Sequence, residues 1–425
     1  MRVLVFPGGT EIGLEVWRSL RWHRLVDLVS AGAPVSSHAP YVFARHFDVP
    51  MVTDPEWLPQ LKEVVRREKI EFIFPGHDDV VTALADHRDE LGATVVTSST
   101  DTCHICRLKS RTYDLFDGLL PVPRRYAHAG DVSEFPVFVK PDRGQGSQDT
   151  HLVEDRAELE TLLRARPNRY LVTEHLPGEE FTVDCVSDHR GELLYCAGRR
   201  RVRVRDGISV DTVNVEDPQF GEYATAIGKR LPLRGGWFFQ VKRSRTGTLT
   251  LLEVAPRIAG AMAMDRVRGV NIPLLSLYVA QGQDVAILSN PGDVEMDRAL
   301  TNRYRHSVTF DRVYVDLDDS LVVKGQVNTE LIQFLYQCVN RGVRLTLVTR
   351  HAGNLADTLR RHRLDSLFDE VRTVALGHPK SEAIEARSNA IFVDDSFAER
   401  RQVANTTGLP TFDSSMIELL LDDRC

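Results

Sequence analysis

The chain has 425 residues, 42% hydrophobic and 27% charged, which is enough for two or three domains with sizeable cores and argues against wholesale disorder. Its 53 basic and 60 acidic residues give a formal net charge of −7, which argues against general binding to nucleic acid or to an anionic membrane surface. No apolar run approaches the ~20 residues that span a bilayer, and the opening MRVLVFPGG is too short an apolar run for a secretory leader, so a cytoplasmic protein is expected.

Residues 1–98 alternate strand and helix signals. Val3 to Phe6 is an apolar run, Leu14 to Leu25 has helical spacing, and Leu25 to Val29 reads as the next strand. Trp57 to Arg67 is amphipathic, Phe72 to Phe74 reads as a strand, Val80 to Leu91 as a helix and Thr94 to Thr97 as a last strand. Such alternation implies a parallel sheet with helices on both faces. The loop Gly8 to Gly13, GGTEIG, lies at a strand-to-helix turn. Its spacing is not G-x-G-x-x-G and no acidic residue ends the second strand, so close packing and an anion or substrate contact are expected there rather than a dinucleotide. In PGHDD, Asp78 and Asp79 follow a strand and either touch substrate or favour the next helix N-terminus.

The six cysteines, Cys103, Cys106, Cys185, Cys196, Cys338 and Cys425, are scattered, as reduced thiols are, rather than arranged as a disulfide framework. Cys103 and Cys106 have the spacing of half a zinc site, but no second ligand pair follows at finger spacing, and the pair reads as fortuitous.

Downstream lies FVKPDRGQGS, Phe138 to Ser147, a strand from Pro136 to Val139 running into a flexible loop. Lys140 sits at the strand end, Gly144 and Gly146 leave room for backbone N–H groups to close on an anion, and Ser147 adds a hydroxyl. Alone, a surface turn with a solvated lysine would look the same. Its neighbours favour a polyphosphate site. A short strand, Arg169 to Thr173, leads to a polar hinge, Glu174 to Gly178, and a second strand starting at Glu180, a pattern suited to an adenine edge and ribose hydroxyls. In Arg199 to Arg205 the period of a strand puts Arg201, Arg203 and Arg205 on one face, with one or two of the run expected on phosphates. Gln240 and Glu253 lie on two predicted strands joined by the turn at Arg245 to Gly247, where pairing would bring their oxygens together for a hard divalent metal. Arg257 follows as a cation for phosphate or carboxylate.

Residues from about 99 to 283 therefore resemble an ATP-grasp domain of the kind found in the carbamoyl-phosphate synthetase large subunit and in carboxylate–amine ligases. The resemblance implies Lys109 and Lys140 on the ATP phosphates, Glu174 at the hinge, Glu180 on the ribose, and Gln240 with Glu253 as Mg²⁺ ligands. The family usually ends this block Glu-x-Asn-Pro-Arg, whereas this chain reads Glu-Val-Ala-Pro-Arg, so Ala255 stands in place of a ligand amide.

Residues 284–307 read as a linker, broken by Pro291–Gly292. Then VYVDLDDSLV opens a new domain, and the period of a strand puts Asp316 and Asp318 on one side, as nucleophile and general acid or as caps of a helix. Helices are expected at Asn328 to Arg341, at His351 to His362 and from Lys380, and strands at Val343 to Val348 and Ile391 to Val393. Residues 313–423 resemble a haloacid-dehalogenase-like phosphatase through Asp316, Asp318 and Ser320, Thr349, Lys380, and Asp394 with Asp395. The resemblance implies that Asp316 takes the phosphoryl group, Asp318 protonates the leaving group, Thr349 and Lys380 hold phosphoryl oxygens, and Asp316, Asp394 and Asp395 form the Mg²⁺ site. About 30 residues between Thr349 and Lys380 leave no room for a large cap.

The expected architecture is thus α/β and α+β multidomain: a parallel-sheet domain at 1–98, ATP-grasp lobes at 99–305, and a Rossmannoid domain without a large cap at 306–425. The expected activity is ATP-dependent ligation of a carboxylate to an amine through an acyl phosphate, joined to a phosphatase acting on a phosphorylated metabolite. ATP and Mg²⁺, with Mn²⁺ able to replace it, are the expected cofactors. Small-molecule acids and amines, and a second copy in a homodimer, are the expected partners. Two alternatives are a phosphatase with a degenerate nucleotide-sensing half and a ligase with an inactive C-terminal scaffold.

Overall fold

A computed structural model describes residues 1–166, 169–386 and 388–424, and the chain divides into two compact units, Met1–Leu300 and Thr301–Cys425. Cys425 itself lies outside the described residues, and among those described no disulfide joins the cysteines. No helix among the described residues is long and apolar enough to cross a membrane.

The first unit begins with a five-stranded parallel sheet in the spatial order His46–Asp48, Asp27–Gly32, Arg2–Phe6, Phe72–Pro75, Thr94–Val95. Its central strand is apolar from Val3 to Phe6 because both faces are covered. Val3 and Val5 pack with Trp17 and Leu20, whereas Leu4 and Phe6 pack with Leu61 and Leu84. The first helix is Glu11–Leu20 rather than Leu14 to Leu25. Thr10 caps it by accepting from Gly13 N at 3.0 Å, and the chain must turn by Asp27 to pair with Arg2. The short elements Ala39–Val42 and His46–Asp48 carry too few residues to show a period in the sequence.

Two antiparallel sheets follow. The smaller orders Arg125–Tyr126, Tyr170–Glu174, Val137–Pro141 and His151–Val153. The larger orders Leu249–Ala255, Gly235–Arg243, Glu180–Ser187, Leu193–Arg205, Ile208–Val215 and Glu295–Asp297. Its last strand lies inside the stretch expected to be a linker. Met296 pairs with Thr212 at the sheet edge through backbone bonds that need no hydrophobic alternation, which is why the sequence hides it.

The second unit is another five-stranded parallel sheet, in the order Glu370–Thr373, Arg344–Thr349, Arg312–Val315, Ala390–Val393, Thr411–Phe412. Val313 and Val315 face Phe334 and Leu335 on one side, and Tyr314 faces Val348 and Val403 on the other. Helix Thr329–Asn340 is capped by Asn328, and Leu355–Arg361 starts four residues later than His351 because Asn354 is its cap. Lys380 opens only a 3₁₀ turn, Lys380–Ala383. The chain moves outward from the central strand in both directions, so a switch point falls between Arg312–Val315 and Ala390–Val393, where open α/β sheets place ligands.

Candidate functional sites

In the first unit a cleft of about 150 Å³ opens between the two antiparallel sheets and is lined by Lys109, Lys140, Gly144, Gly146 and Ser147 on one wall and by Glu180, Arg201, Gln240 and Glu253 on the other. Lys140 is the penultimate residue of Val137–Pro141 and is only 6% exposed. Its Nζ donates to the Tyr113 hydroxyl at 2.8 Å, and that hydroxyl donates to the Leu252 carbonyl at 2.9 Å. Among the described residues no carboxylate lies within ion-pair distance of it. Burial therefore dominates and pushes the amine down to about 8, with Glu253 and Glu180 compensating only in part. Tyr113, four residues after Lys109, is what the sequence reading missed here.

Lys109 begins helix Lys109–Phe116, and its Nζ donates to the Gly144 carbonyl at 3.2 Å. Asp142 holds the start of this helix, accepting from Ser110 N and Oγ at 2.7 Å each. Arg107 and Arg143 both donate to Asp79, at 2.9 and 2.6 Å, and Arg107 also donates to the Gly144 carbonyl at 3.1 Å, so the glycine loop is tied to the parallel-sheet domain. Gly146 and Gly207 both have positive φ, 59° and 76°, and a Cβ on Gly207 would sit 2.2 Å from the Gly146 carbonyl carbon. Only glycine lets the hairpin turn and the loop touch.

On the opposite wall the β register does the placing. Gln240 and Glu253 stand directly opposite each other, as do Gln240 and Thr182 on the next strand. Two oxygen-bearing side chains at one point fit a hard divalent cation, whereas Ala255 is opposite Phe238 and offers no side-chain oxygen. Arg201 belongs to this wall. It bonds Glu180 and donates to Gln240 Oε1 at 3.2 Å and to the Gly207 carbonyl at 2.6 Å. The expected common face of Arg201, Arg203 and Arg205 does not form, because bulges on either side of Arg203 break the alternation. Arg203 instead pairs with Asp297 at the exposed sheet edge. Glu174 is outside the cleft lining, and its carboxylate accepts from Arg124 N at 2.9 Å.

A second cavity, about 310 Å³, adjoins the first, sharing Gly146, Arg201, Gly207 and Gln240 with it. Thr10 and Ile12 at the first helix start, His77, Thr182, Arg199, Phe238 and the segment Ala259 to Ala261 also line it. Burial lowers the His77 pKa, favouring neutral imidazole, and its Nδ1 accepts from Asp79 N. Arg257, read from the sequence as an available cation, is taken up by Asp78. Nε and Nη2 reach the two carboxylate oxygens at 2.7 Å each, and Nη1 donates to the Ile258 carbonyl at 3.0 Å. Burial opposes the Asp78 charge, but this fork-to-fork pair outweighs it and holds the carboxyl at about 2. Arg257 thus anchors the start of the Ala259 to Ala261 segment.

Comparison with known proteins bears on the fold of this unit. The family described as "ATP-grasp in the biosynthetic pathway with Ter operon" matches residues 166–300. Over those residues the chain is similar to an ATP-grasp family. Its fold is similar to the biotin carboxylase domain dimer of Hydrogenobacter thermophilus 2-oxoglutarate carboxylase, solved with MgADP, ADP and bicarbonate, at 14% identity and TM-score 0.59, covering 69% of this chain and 73% of that one. Biotin carboxylase of Campylobacter jejuni, in complex with β,γ-ATP, matches at 14% identity and TM-score 0.57, covering 69% and 74%. L-amino acid ligase of Bacillus licheniformis matches at 16% identity and TM-score 0.52, covering 66% and 74%. No curated protein matches by sequence.

In the second unit the three central strands end at one point. Asp316 follows Arg312–Val315, Thr349 ends Arg344–Thr349, and Asp394 and Asp395 follow Ala390–Val393. Oxygens of Asp316, Asp394 and Asp395 lie within 4.8 Å of one another, a spacing one cation fits. Lys380, 5% exposed, reaches Asp316 Oδ1 at 2.7 Å and Asp394 Oδ2 at 2.6 Å. Burial works against its charge, but Asp316 and Asp394 together win and raise its pKa. Burial raises the Asp316 carboxyl to about 7, with Lys380 opposing and Asp394 adding to the rise. Thr349 Oγ1 is buried without a hydrogen-bond partner. Ser320 Oγ accepts from Asp395 N at 2.8 Å and lies 3.4 Å from Asp316 Oδ2. Asp318 does not share the buried side of Asp316. The strand ends at Val315, so the alternation lapses, and Asp318 is exposed with both oxygens 3.0 Å from His351 Nδ1. His351 is a neighbour the sequence reading missed.

Proposed function

We propose that the first unit is an ATP-dependent ligase that joins a carboxylate to an amine. The carrying observation is the buried ammonium of Lys140 facing the opposed oxygens of Gln240 and Glu253 across one cleft. A desolvated cation without a counterion gains from a polyphosphate, and charge-assisted contacts from Lys140, Lys109 and the Gly144 to Ser147 loop would hold one. A Mg²⁺ on Gln240 and Glu253 would neutralise charge on the transferring phosphoryl group. The carboxylate oxygen attacks the γ-phosphorus of ATP and ADP leaves. The amine then attacks the acyl carbon of the resulting acyl phosphate, loses a proton and expels phosphate. The site contributes alignment and electrostatic stabilisation rather than covalent chemistry. Chromatography of the nucleotide product tests this: ADP with phosphate is expected, whereas AMP with pyrophosphate would mean an adenylating enzyme.

For the second unit we infer a Mg²⁺-dependent phosphatase, and the observation favouring it is the three-carboxylate cluster with Lys380 inserted. Asp316 would attack the phosphorus of a phosphorylated metabolite while Asp318, held by His351, protonates the departing oxygen. The unpartnered Thr349 hydroxyl and Lys380 would receive phosphoryl oxygens. The matched family segment ends at residue 300, so this reading stands on the residues of the second unit alone.

A further inference from the structure

The 310 Å³ cavity next to the proposed phosphate cleft has a cation that the ligase chemistry described so far does not use. Arg199 is 4% exposed and its Nε donates to Asp184 Oδ2 at 2.7 Å, while Nη1 is buried without an acceptor. A buried guanidinium donor left unpaired is costly unless something completes it. The register shows where that something lies. Glu253, Gln240, Thr182 and Arg199 form one row across four adjacent strands. Strand spacing of roughly 4.8 Å puts the Arg199 strand about 10 Å from the Gln240 strand.

Around Arg199 the cavity presents the N-terminus of the ten-residue helix Glu11–Leu20, whose partial positive charge favours an anion. Arg298 adds a second guanidinium, with Nη1 3.1 Å from Glu11 Oε2. Phe238, Ile208 and Ala261 add apolar surface to the lining.

We propose that this cavity holds an organic substrate and that Arg199 anchors a carboxylate of it that is not the one activated. The proposal rests on the ligase reading of the neighbouring cleft. An anchor two strands away from Gln240 is too distant to hold the reacting carboxylate, so the group it binds is a spectator. That group belongs either to a dicarboxylic acid activated at its other end or to an amino acid serving as the amine.

The test is calorimetric binding to the full chain of succinate, glutarate and the L-amino acids, each beside its amide counterpart: succinamide and glutaramide for the diacids, amino-acid amides for the amino acids. At least one carboxylate is expected to bind tenfold or more tightly than its amide, and which series shows the preference identifies the source. Removing Arg199 alone would strand Asp184, so the variant is D184N combined with R199M, with circular dichroism confirming the fold. The preference should fall below about twofold in that variant. No preference anywhere in the panel, or a preference that survives in the folded double variant, overturns the proposal. ADP release is scored separately: a carboxylate preference lost with Arg199 but no ADP release with any acid would uphold the anion site and sink the ligase reading.

Discussion

Two buried lysines, one in each unit, make an instructive contrast. Lys140 and Lys380 are equally enclosed, 6% and 5% exposed, and both sit at the ends of strands or the turns beside them. Their pKa values move in opposite directions. Lys140 is walled by Tyr113 and Phe138, with its ammonium 5.3 and 5.9 Å from the ring centroids, and burial prevails. Lys380 lies between Asp316 and Asp394, and the carboxylates prevail. Burial alone therefore does not set the charge of a lysine; its counterions do. In the first site Lys140 has no ion-pair partner among the described residues, which suits it to an incoming anion. The second already holds three carboxylates against one ammonium and is poised to take a cation.

The sharpest way to break the contrast is chemical. Asp316→Asn should abolish Mg²⁺-dependent hydrolysis of a generic phosphomonoester, since a neutral amide cannot be the nucleophile. ATP binding should persist in that variant, and Lys140→Ala should spare hydrolysis. Wild-type hydrolysis that survives Asp316→Asn unchanged would remove the second site from consideration.

Stability gives the next largest effect. Lys380→Met leaves two buried carboxylates unpaired and should lose about 3–5 kcal/mol in denaturant melts without metal. Added Mg²⁺ should restore part of the loss. Lys140→Met removes a charge that has no ion-pair partner and should be neutral or stabilising by up to ~2 kcal/mol. Because the folded pKa of Lys140 lies below the ordinary 10.5, the wild type bears its penalty in full below about pH 8 and sheds it as pH rises towards 10.5, so any gain from methionine should shrink over that range. Equal losses for the two variants would refute the distinction.

Affinity comes third. Lys140→Ala should weaken ATP binding at least tenfold, about 1.4 kcal/mol. In the wild type, affinity should fall as pH passes about 8, where the amine loses its proton, by at most about tenfold per unit. Lys140→Arg should keep its charge and flatten that profile. Calorimetry across pH reads both effects, and a wild-type profile flat to pH 10 would contradict the assignment.

The smallest effect concerns the tether of the glycine loop. Asp79 is half-buried under Arg107 and Arg143, and such pairs contribute about 0.2–1 kcal/mol. Asp79→Ala should therefore raise the ATP Kd by no more than about fivefold.

The linear pattern determined a good deal by itself. Apolar runs three to six residues long alternating with amphipathic stretches announce both parallel sheets, because hydrophobic periodicity is a local property. Lys140, Gly144, Gly146 and Ser147 fall within eight residues of one another, and Gln240 and Glu253 face each other because a single hairpin joins their strands. What only the tertiary structure decided were relations between distant segments and departures from ideal alternation. The pairing of Asp78 with Arg257, 179 residues apart, turns an apparent ligand cation into an anchor. The bulges around Arg203 split one arginine face into a cleft residue and an edge residue, and the strand end at Val315 separates Asp318 from Asp316. Arg199 looks like any member of a basic run until the sheet buries it beside Asp184 and leaves one nitrogen without an acceptor. Burial and long-range pairing depend on which surfaces meet, and no local window of residues contains that information.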